Sequence, residues 1–355
     1  GNKFMLRTLV LVIGLISIIA VSNNTFAQTK KAPPKPPASP PPRKLGDLLD
    51  PPRALGDFPP PPRLDDAKLK AAGLRKLIGT HLTLVTDVPD KEIDEFPTIY
   101  DQAVPQWAAY FGVDIAKTKN WHIVGYLLKD KDQTTKFVEA GCVPADMPPF
   151  LNGYQKGAEF WLYDQPAYYR RHLLLHEGTH AFMAHFLGGG GPPWFSEGLA
   201  ELMGTHSWKE GRLQLNIMPA QKEDVPFWGR VKIVQNELAA NRGMMPIDIM
   251  KYGPHAHLKN EPYGWSWAAA YFFDRHPLTA KSFHSLNKNV SNRSVDFSRE
   301  FYNELLADWP AILQDWQLFV TELDYGYDVG RAATTHSPLG GPLPAAGKKL
   351  KVAAD

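Results

Sequence analysis

The sequence predicts an α+β protein: a mixed sheet with helices first, then a mainly helical half. Three observations carry this. Short apolar runs at 81–87, 121–128 and 158–163 have strand length. From Gln165 to Tyr327 the pattern turns mostly helical, with Trp and Phe spread through it. A chain of 355 residues, 44% of them hydrophobic, carries enough apolar material for one large core.

The N-terminal 27 residues are expected to be a signal peptide. Lys3 and Arg7 precede an apolar run from Leu9 to Val21, and Thr25 and Ala27 place small side chains before Gln28. The run is about 13 residues, short of the roughly 20 that span a bilayer as a helix. The alternative is an uncleaved membrane anchor. Either way the chain is expected to be exported, to the periplasm or outside the cell. Cys142 is the only cysteine, so no disulfide forms within the chain, and a small packed thiol is expected there.

Residues 28–67 are a different material. Thirteen of the 32 prolines fall between Pro33 and Pro62, within a recurring unit: PPRKLGD from Pro41, PPRALGD from Pro51 and PPRLDD from Pro61. Proline at this density supports neither helix nor ladder hydrogen bonds, so an extended spacer is expected, a stalk at an envelope surface. A ligand for a Pro-binding groove is the other reading. Residues 331–355, rich in Gly, Pro, Ala and Lys, are expected to fray. Lys and Arg number 39 against 37 Asp and Glu, a net +2 that speaks against nucleic acid as a partner.

Residues 68–330 remain as one folded domain. A strand is expected at His81–Asp87. Lys91 to Gly112 has apolar residues at helical spacing, interrupted by Pro97 and Pro105. A second strand follows at Trp121–Leu128, a helix at Lys131–Ala140, and a third strand at Ala158–Tyr163.

The chemistry begins with His176-Glu177-Gly178-Thr179-His180. Four residues turn a helix by about 400°, so His176 and His180 share a face and both imidazoles reach one metal ion. Glu177, about 100° round, is no ligand but reaches a water at that ion and acts as general base. The stretch GGGGPPWFSEGLAEL, residues 188–202, then stops the helix, reverses the chain and starts another. On that second helix Glu197 supplies a third ligand, which leaves one position open, as in a catalytic zinc site. Glu201, one turn further, accepts a hydrogen bond from a ligand histidine and fixes its tautomer.

At these residues the sequence resembles the gluzincin metallopeptidases, the thermolysin and alanyl-aminopeptidase group. Trp194-Phe195-Ser196-Glu197-Gly198-Leu199-Ala200 matches their second motif, with Ser196 for the more familiar Asn. HEGTHA with PPWFSEGLAE also looks like an uncharacterised family of exported bacterial peptidase-like proteins. The resemblance covers about residues 158–275. It implies a zincin-like fold, one Zn2+ held by His176, His180 and Glu197, Glu177 as general base, and Glu201 behind a ligand. It also implies an oxyanion donor from the helical half, for which Tyr263, at the start of a helix opened by Pro262, is the candidate.

Other residues are weaker candidates. His185 is five residues past His180, where a metzincin needs six. His172 lies about 12 Å from His180 along the helix, too far to share its ion, and is expected behind the site or at the surface. His255, His257 and His276 are expected to be exposed. Glu159 partly matches the amine-binding glutamate of aminopeptidases but is expected to decorate an edge strand, which favours endopeptidase action. The strand Ala158–Tyr163 is expected to pair with an extended substrate. The function expected is hydrolysis of peptide bonds in a peptide or protein substrate. The alternatives are a catalytically silent zincin-fold binding module on its stalk, and a zinc hydrolase of another envelope amide or ester.

Overall fold

The computed structural model describes residues 60–335 except 132–133 and 145–146. The expected signal peptide, nearly all of the Pro-rich segment and the tail beyond Thr335 lie outside the described residues. The first helix, α1 (Asp66–Ala71), opens two residues before the expected domain boundary because the Asp65 carboxylate accepts from the Ala67 and Lys68 amides.

A five-stranded sheet follows: β1 (Arg75–Ile78), β2 (Leu82–Thr86), β3 (Ile123–Leu128), β4 (Gly153–Lys156) and β5 (Glu159–Tyr163), in the order β1-β2-β3-β5-β4. β2, β3 and β5 are parallel, and β1 and β4 close the two edges antiparallel. The three expected strands are the three parallel ones. β3 is buried along its whole length, as a parallel strand covered on both faces should be.

Alternation along the strands divides the core. Leu84, Ile123, Leu127, Phe160 and Leu162 face the main core, which holds α2 (Phe96–Phe111) and the helices that follow. Val85, Val124, Tyr126, Leu128 and Trp161 face a smaller cluster with α1, α3 (Thr135–Glu139) and Cys142. Cys142 is a buried free thiol, its pKa pushed up to about 11 by burial and by Glu159. α2 is preceded by a 3-10 turn at Lys91–Glu95, so the expected helix is α-helical only from Phe96. Pro97 sits in its first turn and Gly112 ends it in the left-handed conformation. Pro105 lies within α2 on its exposed side and leaves one carbonyl of the preceding turn without its helical amide.

After β5 the chain enters α4 (Ala167–Leu187), reverses through the glycines and enters α5 (Pro193–Gly204). The half that follows is not all helical. Among its first elements is a hairpin of β6 (His206–Lys209) and β7 (Arg212–Leu215). Gln102 and Gln106 on α2 bond the outer backbone groups of β7 and fix the hairpin against that helix. The rest comprises α6 (Arg230–Ala239), α7 (Pro246–Ile249), α8 (Glu261–Arg275), α9 (Ala280–Ser285), α10 (Val295–Glu304), α11 (Trp309–Glu322) and α12 (Val329–Thr335). α12 carries helix into the expected tail. Among the described residues no helix is long and apolar enough to cross a membrane.

Candidate metal centre

Small residues set the positions of α4, α5 and α8. A Cβ on Gly178 would lie 2.6 Å from the Trp107 ring, so α2 packs directly against the backbone of α4. A Cβ on Gly198 would lie 2.7 Å from the Ser266 carbonyl oxygen, so α5 and α8 meet at backbone distance. Gly188 and Gly191, at φ 77° and 73°, make the reversal between α4 and α5.

This packing brings three donor atoms together. His176 Nε2 and His180 Nε2 are 3.2 Å apart, and Glu197 Oε2 lies 3.3 Å from the first and 3.6 Å from the second. Donors held at 2.0–2.1 Å around a tetrahedral ion stand about 3.3 Å apart, so the set has the dimensions of a zinc site. The outer nitrogens are provided for. His176 Nδ1 faces Glu201 Oε1 at 3.4 Å, and His180 Nδ1 faces Ser196 Oγ at 3.2 Å. With protons on Nδ1, both Nε2 lone pairs point at the space beside Glu197. Glu197 Oε2 is buried and makes no hydrogen bond, so with both rings in that tautomer three electron-rich atoms converge with no donor among them. A cation would satisfy them.

In the protein alone, the charges of the set act on one another, and a proton on His176 takes the place of a cation. Burial lowers the pKa of His176, but Glu197 and Glu201 outweigh it and hold the ring well above its ordinary value. Burial raises Glu197, but His180 and His176 outweigh it and hold the carboxylate well below the usual range. Glu177 is buried beside the set, and desolvation pushes its pKa up, the direction a base needs in order to hold a proton. A Cβ on Gly153 would lie 2.3 Å from Glu177 Oε1, so β4 covers this carboxylate with bare backbone.

Tyr263 is on the first turn of α8, its ring 6.2 Å from that of His176. Burial and then the charges of Glu197, Glu177 and Glu201 push its pKa up, which keeps the phenol a neutral donor. His257 was expected to be exposed but is buried, with its ring 4.9 Å from Tyr263 and Nε2 2.9 Å from Ser266 Oγ. The field of Glu197 reaches it. His276 is also buried, paired with Asp315 at 2.9 Å and remote in its partners from the donor set, whereas His255 is exposed.

His172 takes the first of its two expected places, behind the site: it is fully buried, with Nε2 3.3 Å from Glu201 Oε2. Two further expectations are corrected. β5 has partners on both sides and offers no free edge for strand addition; the edge strands are β1 and β4, and β4 is the one beside β5. Glu159 therefore does not decorate an edge. It shares the strand face of Trp161, opposite to α4, where Tyr126 donates to it at 2.8 Å.

Sequence reasoning missed Arg230, whose Nε and Nη2 bond both oxygens of Glu201 at 2.7 and 2.8 Å. It sits at the first position of α6 after Gly229, where no spacing ties it to the histidines. The chain matches no protein-family model and shows no significant similarity to a curated protein.

Proposed function

We propose that the chain is a zinc-dependent metallopeptidase with a zincin-like fold, exported and acting on peptide or protein substrates. The observation that carries this reading is the convergence of His176 Nε2, His180 Nε2 and Glu197 Oε2 at 3.2–3.6 Å, with an orphaned carboxylate oxygen among them. His176, His180 and Glu197 would hold the ion. When bound, zinc supplies a Lewis acid that brings the pKa of water from 15.7 to about 7.

The chain's own residues do the rest. Glu177 takes the proton of the attacking water and passes it to the departing amine, a transfer that typically contributes about a hundred- to ten-thousand-fold. Tyr263 and His257, packed against each other at the donor set, are the neutral donors for the oxyanion of the attacked carbonyl. β4 offers its free edge to an extended substrate directly over Glu177.

The test is elemental analysis of the purified full chain beside His176→Ala, followed by exposure of the wild type to a broad peptide library. One zinc per wild-type chain, none on the variant, and cleavage of peptides are expected. A folded wild type without metal would overturn the reading. Zinc without cleavage would favour the silent binding module or a hydrolase of another amide or ester.

A further inference from the structure

α4 carries a second donor group one turn nearer its N-terminus. One donor atom from each of His172, His176 and Glu201 lies within 4.8 Å of the others, with His172 Nε2 and His176 Nδ1 at 3.3 and 3.4 Å from the Glu201 carboxylate, and all three residues are buried. His172 is closely held: it stacks on Tyr169, and a Cβ on Gly204 would lie 2.8 Å from its Cε1. Neither of its ring nitrogens makes a hydrogen bond of good geometry. By donor chemistry alone this is a second site for a divalent ion.

It differs from the first group in one respect. Glu197 has no cationic side chain on its free oxygen, whereas both oxygens of Glu201 are gripped by Arg230. The guanidinium is fixed in turn, with Nη1 donating to the Trp228 carbonyl at 2.9 Å and Nη2 reaching Tyr169 Oη at 3.4 Å. It is buried and permanently charged.

We propose that the His172–His176–Glu201 group is a latent divalent-metal site and that Arg230 is the resident cation that keeps it closed, so that the chain takes one ion and not two. The proposal rests on His176, His180 and Glu197 forming the working centre. A second ion in this group would face the guanidinium across a single carboxylate, and like charges at that separation in a buried setting repel strongly. It would also take the Nδ1 proton of His176 and turn that imidazole into a bridge between two ions. Arg230 is thus a positioning residue as well. By bonding both its oxygens it holds Glu201 oriented toward His176 Nδ1, which leaves Nε2 for the first ion.

The experiment is zinc titration of the full-length chain after chelator stripping, with bound metal counted by elemental analysis. Wild type is expected to take one zinc. Arg230→Met, which removes the charge, is expected to take two, with the first bound about 10–100-fold more weakly, as when an outer partner of a ligand is lost. Arg230→Lys keeps the charge and is expected to take one, and Arg230→Met with His172→Ala returns to one. A folded Arg230→Met chain that still takes one zinc overturns the proposal and leaves the first centre standing. Two on the wild type overturns the role of Arg230, and none on the wild type overturns the centre itself. Should Arg230→Met be unfolded without metal, the proposal requires excess zinc to restore folding with two ions bound; no rescue overturns it.

Discussion

On one face of α4, His172, His176 and His180 point toward Glu197 and Glu201, with Glu177 alongside; on the opposite face, Gly178 lies against the rings of Trp107 and Tyr100. The front is organised by charge. Each histidine there has a carboxylate within 3.6 Å, and Glu197 and Glu201 are each answered by a histidine or an arginine. The back is organised by space, with a glycine where two aromatic rings need room. One residue type shows the difference. His176, at the centre of the front, is held above its ordinary pKa by carboxylates, whereas His206, stacked on Tyr168 at the N-terminal end of α4 with no carboxylate as partner, is pushed down to about 3 by burial. A helix that serves a site is therefore two constructions, and substitutions should separate them.

The largest effect is expected on the front. Glu177→Gln keeps the shape and both histidines, so zinc content should be unchanged while turnover falls about a hundred- to ten-thousand-fold. Its thermal midpoint should not drop, because burial already disfavours the ionised carboxylate in the folded chain. Peptide cleavage at the wild-type rate would remove Glu177 from the chemistry. A loss of zinc would make it a structural support of the donor set instead.

Gly178→Ala tests the back. In open helix the change would stabilise by up to about 1 kcal/mol. Here the new methyl lies 2.6 Å from Trp107 and 2.8 Å from Tyr100, two fully buried rings with no space to retreat. Overpacking should win, with a net loss of about 1–3 kcal/mol in urea denaturation and one zinc still bound. A more stable variant would mean that α2 yields, and that the back of α4 is less tightly specified than its glycine suggests.

The same contrast explains what could be read in advance. The front was legible because three titratable residues within five positions have few other uses, and because Glu197 follows at a length that one reversal spans. Its supports were not. Arg230 and His257 reach the site only through tertiary packing, and Ser196 acts through a contact that needs Gly190 beside it, where a Cβ would lie 2.5 Å from Oγ. In the sheet, the buried parallel strands announce themselves as apolar runs. β1 and β4 are four-residue edges with half-buried patterns and do not. The β6–β7 hairpin turns at Glu210-Gly211, both at positive φ. Glu is an unusual choice for that conformation, so the turn signal was absent although β7 alternates between exposed and buried residues.

The smallest effect concerns His206, and it is a matter of pH. Its ring stacks on Tyr168 at 4.6 Å, Nδ1 bonds the Gly204 carbonyl, and Nε2 is buried without a partner. Burial, with Arg171 and His172 adding to it, lowers its pKa from 6.5 to about 3. The unfolded chain therefore binds the proton more readily between those values. Stability is full above the unfolded pKa and falls as the pH drops through that window, by up to about 1.4 kcal/mol per pH unit from this one ring. His206→Phe keeps the stack and removes the titration. Urea denaturation at pH 7, 6, 5 and 4 should then show a shallower decline than wild type, by about one proton, while the front carboxylates titrate equally in both. Parallel curves would mean that water reaches Nε2 and that the packing of His206 on Tyr168, at the N-terminal end of α4, is not as dry as its burial describes.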